Sequence, residues 1–295
     1  MAVAGRPNVG KSTLVNGLVG AKVAVVSDKS QTTRRAIRGI VNGEHDGEAF
    51  QLVLVDLPGF QQPRDALTER MQHRVVRELG DSDAALFVLN GAERSAGGDR
   101  YIADALKRSG VPVVVAVNKT DLLDRAQIVK TLAEAAAREE DGLDLRAVVP
   151  VSALYGAGID ILRRELVATL PEGPAYFPAA EVTDLPREVE FAELIREQAL
   201  RRTREEVPHS IEVRIEEIAE RAALVVVRAV LWVETESQKG ILIGAGGAMT
   251  RAIGTAARRE LARRVDGRVH LDLTVQVRRA WRRDDALLDR LGIEP

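Results

Sequence analysis

"GRPNVGKS", residues 5 to 12, follows the short apolar run "MAVA" (1–4) and leads into a helix-forming stretch. It fits the pattern G-x-x-x-x-G-K-[S/T]. In such a loop the glycines let the backbone curl until several N–H groups point inward at phosphate oxygens, and the following helix adds its partial positive charge. Lys11 is placed to reach the β and γ phosphates, and the Ser12 hydroxyl to ligate Mg²⁺. Gly5, Asn8, Val9, Gly10, Lys11, Ser12 and Thr13 are therefore the candidate phosphate contacts. A strand running into a helix through this loop implies an α/β domain.

The neighbouring sequence agrees. "FQLVLVDL", "AALFVLN", "VPVVVAVN" and "RAVVPVS" read as further strands, and their nearly continuous apolarity marks them as buried on both faces of a parallel sheet. Helical stretches at 11–19, 67–79, 99–109 and 159–170 lie between them. Residues 1–170 are expected to form a doubly wound, mostly parallel α/β domain of the P-loop type. "PEGPAYFPAAEVTDLP" (171–186) holds four of the eleven prolines, so 171–188 reads as an extended linker. Residues 189–295 read as a smaller α+β domain. It has a helix (189–204), two strands (211–220, 224–234), a short helical piece ending in "GAGG", a helix (248–265) and the alternating strand "VHLDLTVQV".

Bulk properties exclude several classes. At 295 residues, 45% of them hydrophobic, the chain is long enough for two cored domains. A net charge of −2 argues against coating nucleic acid by bulk attraction, so any such site is a local patch. The absence of cysteine removes disulfides, zinc–thiolate sites and thiol nucleophiles, and suits a reducing, cytoplasmic setting. His45, His73, His209 and His270 are too scattered for a metal cluster. No apolar run approaches the ~18 residues of a transmembrane segment, and "MAVAGRP" has no signal-peptide core. A peripheral contact with the inner face of the cell membrane stays open, with no basic amphipathic helix to propose it.

Three further motifs choose the nucleotide. In "NKTD" (118–121) a fixed Asp121 carboxylate accepts two hydrogen bonds from guanine N1–H and N2–H₂, which adenine does not offer, while Asn118 ties the loops together. "VSAL" offers Ser152 and the Ala153 N–H for guanine O6, and Lys119 and Leu154 complete these two loops. In "DLPGF" (56–60) Asp56 holds Mg²⁺ through water and the Gly59 N–H senses the γ-phosphate. Phosphate loop, D-x-P-G, N-K-x-D and S-A fall in that order at successive strand ends, where a doubly wound sheet collects its ligands. Together they imply GTP and GDP binding. The Mg²⁺-binding threonine that closes over the γ-phosphate is expected in "SDKSQTTRR" (27–35), at Thr33, with Thr32 in reserve.

Taken with "QTTRR", "LPEGP", "REQALRRTREEVPHS", "SQKGILIGAGG", "IGTAARREL" and "VRRAWRRDDALLDRLG", these motifs resemble the Era family of GTPases through almost the whole chain. The resemblance implies a GTPase domain joined to a type II KH domain that binds RNA. It also implies engagement of the 16S rRNA 3′ end during maturation of the small (30S) ribosomal subunit. A KH domain grips the nucleic-acid backbone at a G-x-x-G turn between two helices, so Ile243, Gly244, Ala245, Gly246, Gly247, Arg251 and Arg258 are the RNA-binding candidates. A C-terminal domain that binds a different RNA, or a protein, is the alternative.

The chain departs from the family pattern at two places. Ala245, Gly246 and Met249 stand where a lysine is common, so RNA affinity is expected to fall less steeply with salt. Arg251 and the arginines at 258, 259, 263 and 264 either compensate or form a solvated helix face. Residues 187–295 carry 20 Lys+Arg against 19 Asp+Glu, so no bulk positive field assists. Only four residues precede Gly5, where a longer first strand is usual, so a trimmed start or a locally weaker sheet is expected. Phe60 occupies the place where many GTPases orient water with a glutamine, a substitution that Era-like enzymes share. The expected catalytic groups are Lys11, Thr33 and Gly59, with slow intrinsic turnover and a K⁺ ion held partly by Asn8; Gln61 or Gln62 is the alternative water contact.

Overall fold

The computed structural model describes residues 1–27, 29, 32–60, 63–93, 97–139, 142–204, 207–265 and 267–293. The first module contains β1 (Ala2–Ala4), α1 (Lys11–Val19), β2 (Ile37–His45), β3 (Glu48–Asp56), α2 (Ala66–Gly80), β4 (Ala85–Asn90), α3 (Gly97–Ser109), β5 (Val113–Asn118), α4 (Arg125–Ala136), β6 (Leu145–Pro150) and α5 (Ile159–Ala168). Its sheet runs β2-β3-β1-β4-β5-β6, parallel except for β2, which pairs antiparallel with β3. Short as it is, β1 is fully buried at the centre and bonded to β3 and β4.

Leu14, Leu18, Leu162 and Leu166 from α1 and α5 close one face of the sheet, and Val75, Leu79, Ile102 and Leu106 from α2 and α3 close the other. Every residue of β4 and β5 is buried, as continuous apolar runs require. Helix starts are set by side chains: Asp65 with Thr68 and Asp124 with Gln127 form reciprocal capping boxes at α2 and α4.

Strand β2 and helix α4 lie outside the expected element set, as do two short helices of the second module, at Val207–Ser210 and Asp285–Arg290. β2, "IRGIVNGEH", is rich in glycine and polar residues and lacks the apolar run that marks its neighbours. A signal for it was present in Asp46-Gly47, whose positive φ angles of 52° and 84° form the hairpin turn to β3. The proline-rich segment shields this edge strand: Val182 O accepts from Ile40 N at 2.9 Å. Gln51 accepts from the N–H groups of Tyr176 and Phe177 at 2.7 and 2.9 Å. An extended segment thus caps a sheet edge that would otherwise present unpaired backbone groups.

The second module contains α6 (Arg187–Arg202), α7 (Val207–Ser210), β7 (Glu212–Arg221), β8 (Leu224–Val233), α8 (Glu236–Ile243), α9 (Ala248–Leu261), β9 (Arg268–Val277) and α10 (Asp285–Arg290). Its sheet is β7-β8-β9, antiparallel then parallel. Phe191, Ile195, Val227, Leu231, Ile253 and Leu261 fill the space between the sheet and helices α6 and α9. A separate apolar cluster joins the modules: Leu67 and Met71 of α2 pack with Trp232, Trp281, Leu288, Leu291 and Ile293. Around it Arg70 donates to Asp285 at 2.8 Å and to Asp289 at 2.6 Å.

Candidate functional site

The 5–12 loop is shaped by positions that reject side chains. A Cβ on Gly5 would lie 2.6 Å from Val88 O, and one on Gly10 would run into the Asn118 amide. Lys11 Nζ donates to the carbonyls of Gly5 and Arg6, each at 3.0 Å, and so spans its own loop. Burial lowers its ammonium to about 8 against the opposing pull of Asp56.

Beside Lys11, three oxygen-bearing side chains from three elements meet. Ser12 Oγ donates to Asp56 Oδ2 at 2.6 Å and lies 3.1 Å from Thr33 Oγ1, which donates to the same carboxylate oxygen at 3.3 Å. Burial raises the Asp56 carboxyl, opposed by Lys11 and by the Ser12 and Thr33 hydroxyls. Asp56 Oδ1 is buried with no hydrogen-bond partner among the described residues. A hard divalent cation suits this set of two hydroxyls and one carboxylate, whose second oxygen is buried and unpartnered among the described residues. Among the described residues no cluster of three His, Cys, Asp or Glu competes as a metal site.

Lys11, Ser12, Thr13, Thr33, Gly59 and Lys119 border a cavity of about 310 Å³. Thr32 and Asn8 also reach it, but the Thr32 hydroxyl turns back to Lys29 O at 2.6 Å, away from Asp56. The structure thus brings Thr33, not Thr32, to the Ser12–Asp56 pair. Gly59 sits directly against the ring of Pro7. Phe60 is buried and packs edge-on against Tyr101, ring centroids 5.9 Å apart. Gln61 and Gln62 lie outside the described residues.

At the base-selecting end, Asn118 Nδ2 donates to Val9 O at 2.8 Å and its Oδ1 accepts from Ala153 N at 2.9 Å, lacing three loops together. Ser152 Oγ donates to Asp121 Oδ1 at 2.5 Å and so sets the carboxylate plane. Lys119 takes a left-handed conformation, φ 66°, between them, and Leu154 stands exposed at the rim.

The second glycine turn joins α8 to α9. Gly244, Gly246 and Gly247 have φ of 70°, 55° and 79°, a run that only glycine adopts without strain. Gly244 is backed by Met249, Gly246 opens to solvent, and the Arg251 guanidinium lies beside Gly247. Ile243, Ala245, Arg251 and Arg258 are exposed on the same turn and helix. Two of the four downstream arginines are engaged: Arg264 bonds Glu190 at 3.1 Å and the Lys22 carbonyl, and Arg263 pairs with Glu260 at 2.7 Å. Arg258 and Arg259 remain on the exposed face.

Sequence reasoning did not find the contacts between the 32–35 segment and the second module. Arg34 is buried over Trp281 and donates to Glu212 at 2.8 Å, to Ile211 O at 2.5 Å and to His209 O at 2.9 Å. Arg35 donates to Glu193 at 2.6 Å and to Leu291 O at 2.7 Å. Burial pushes the Glu212 carboxyl up, but Arg35, Arg34 and Arg196 outweigh it and hold the group down to about 2. The one hint in the sequence is the pair "RR" directly after the threonines, which reads equally well as a solvated loop.

A family model described as a 50S ribosome-binding GTPase matches residues 1–119, and a KH domain model matches residues 206–282. GTPase Era of Mycobacterium tuberculosis (strain ATCC 25618 / H37Rv) is 44% identical over 298 residues, spanning 99% of this chain and 97% of the relative. GTPase Era of Mycobacterium avium (strain 104) is 43% identical over 295 residues, with the same coverage. Among solved structures, Era in complex with MgGDPNP and nucleotides 1506–1542 of 16S ribosomal RNA aligns with a TM-score of 0.93 at 36% identity, over 100% of this chain and 98% of that one. A variant of Aquifex aeolicus Era bound to GDP.AlF4⁻ aligns equally well, TM-score 0.93, at 35% identity and the same coverage.

Proposed function

The chain belongs to the Era family of GTPases, and from that premise we propose that it binds GTP and Mg²⁺ at the 5–13 loop, hydrolyses GTP slowly, and grips the 3′ end of 16S rRNA with its 243–247 turn during small-subunit maturation. In this reading residues 1–170 are the GTPase domain, 171–188 the linker and 189–295 the KH domain. The observation that carries it is the match of both modules, in their mutual placement, to an Era structure that holds a GTP analogue and a 16S fragment together. The protein acts in the cytoplasm. A membrane contact has no described feature behind it; no described helix is long and apolar enough to cross a membrane.

GTP hydrolysis depends mainly on positioning and charge neutralisation. Loop N–H groups and Lys11 would hold the β and γ phosphates; Ser12, Thr33 and, through water, Asp56 would hold Mg²⁺, which when bound would supply charge neutralisation. The Gly59 N–H donates to the γ-phosphate, and Asp121, aligned by Ser152, selects guanine. Phe60, turned into the core against Tyr101, holds no water, so turnover is slow. Asn8 lines the cavity, and its side-chain oxygen would be one ligand of a K⁺ ion supplying positive charge there.

Loop closure at Thr33 and Gly59 changes how the first module seats on the second, so GTP biases RNA affinity and RNA biases GTP affinity by the same factor. Filter binding of a 16S 3′-end oligonucleotide with GTP analogue and with GDP tests this, with Gly246→Asp as the control for the turn. Equal RNA affinity in both nucleotide states refutes the coupling. Absent RNA binding, or binding indifferent to Gly246→Asp, points to a different RNA or a protein partner, a reading that the lysine-free turn favours.

A further inference from the structure

The contacts that hold the threonine loop closed come from the second module. On the N-terminal side of Thr33, the guanidinium of Arg196 in α6 donates to Thr32 O and to Glu193. On its C-terminal side, Arg34 runs into the pocket formed by Glu212, Ile211 O, His209 O and the face of Trp281. The next residue, Arg35, is bound to Glu193 and Leu291 O. Arg196 and Glu212 are completely buried, so this is packed protein and not a screened surface pair. Thr33, held through Thr32 on one side and through Arg34 and Arg35 on the other, presents its hydroxyl to Ser12 and Asp56.

We infer that Arg196 and Glu212, both outside the nucleotide-binding module, are positioning residues for GTP hydrolysis: they hold the Thr32–Arg35 stretch where Thr33 completes the Mg²⁺ site. The inference rests on the proposed role of Thr33 as a Mg²⁺ ligand. A guanidinium that fixes a ligand's peptide acts as an outer shell does at other metal centres, where its removal costs metal affinity or turnover with the direct ligands intact. It also places part of the GTPase machinery in the RNA-binding module, so that the second module is required for turnover at physiological Mg²⁺ and is more than a docking tail.

The test uses the full chain. Wild type, Glu212→Gln, Arg196→Lys and Thr33→Ala are assayed for GTP turnover across a Mg²⁺ series and for binding of a fluorescent GTP analogue and of GDP. Glu212→Gln and Arg196→Lys are expected to raise the Mg²⁺ concentration at half-maximal turnover, and to lower kcat, by about tenfold each, while GDP affinity stays at the wild-type value. A merely structural role would lower active protein without moving the Mg²⁺ midpoint. Arg228→Ala removes an exposed pair with Glu217 and is expected to behave as wild type. Should Glu212→Gln lose cooperative melting, the Arg34→Met/Glu212→Met chain, which removes both buried charges together, takes its place with the same expected shift. If Thr33→Ala moves the Mg²⁺ midpoint and the Glu212 and Arg196 variants do not, the inference is overturned and the Thr33 assignment stands. If Thr33→Ala moves nothing, that assignment falls, and the inference with it.

Discussion

Replacing Gly59 with alanine adds one methyl group at the point where the D-x-P-G segment meets the phosphate loop. The φ of Gly59 lies outside the left-handed region, so an L-residue fits the backbone without strain and the effect is steric alone. The new Cβ would lie 2.8 Å from Pro7 Cγ, 2.9 Å from Pro7 N and 3.0 Å from Pro7 Cα. Two of these three atoms are backbone, so relief comes only by parting the two loops. Overpacking of this kind costs about 1–3 kcal/mol, which is roughly 5- to 150-fold in an equilibrium constant. The cost falls on the arrangement in which Gly59 touches Pro7, which under the proposed function is the one that brings its N–H to a γ-phosphate. Stopped-flow binding of fluorescent GDP and of a fluorescent non-hydrolysable GTP analogue should therefore show the triphosphate weakened by that factor and the diphosphate unchanged, with kcat falling in parallel. Equal weakening of both nucleotides, or of neither, would falsify the assignment of Gly59 as the γ-phosphate sensor.

Three other outcomes are expected. Asp121→Asn exchanges a charged acceptor for an amide that pairs with xanthine; losing charge-assisted bonds worth ~1.5–3 kcal/mol each should shift preference from GTP towards XTP by at least roughly a hundredfold, and competition binding that still favours GTP removes the base-selecting role. Turnover in KCl should exceed that in NaCl by about tenfold, a barrier difference of ~1.4 kcal/mol; equal rates end the role of Asn8. Glu212 has a folded-state pKa near 2 against an ordinary 4.5, so its stabilisation is complete above 4.5 and is lost as pH falls towards 2. Urea unfolding between pH 5 and 3 should then show wild type losing stability faster than Glu212→Gln; parallel curves contradict the buried-pair assignment.

The phosphate loop, the D-x-P-G and N-K-x-D segments, the central strands β1 and β3 to β6 and the helix-strand-strand-helix-helix-strand order of the second module were legible in the sequence. Each is a local pattern: glycines at fixed spacing, strands buried on both faces, a proline-rich break. Strand β2 was missed because it is an edge strand, its outer backbone edge capped by residues 176–184, and lacks an apolar run; α4 was missed because its mostly exposed surface gives a weak stripe, and α7 and α10 because they are only four and six residues long.

The sequence by itself determined which chemistry is present, since the residue types that bind a triphosphate, a divalent cation and guanine sit within short segments whose backbone dictates their use. Only the tertiary structure separates Thr32 from Thr33, turning one hydroxyl to Lys29 O and the other to Asp56. It also places Arg34 as a buried strut and Arg264 between the modules, bonded to Glu190 and Lys22 O, while Arg258 is exposed. An arginine's role depends on which acceptors folding brings within about 3 Å of it, and those of Arg34, 175 to 178 residues away along the chain, leave no periodicity to read.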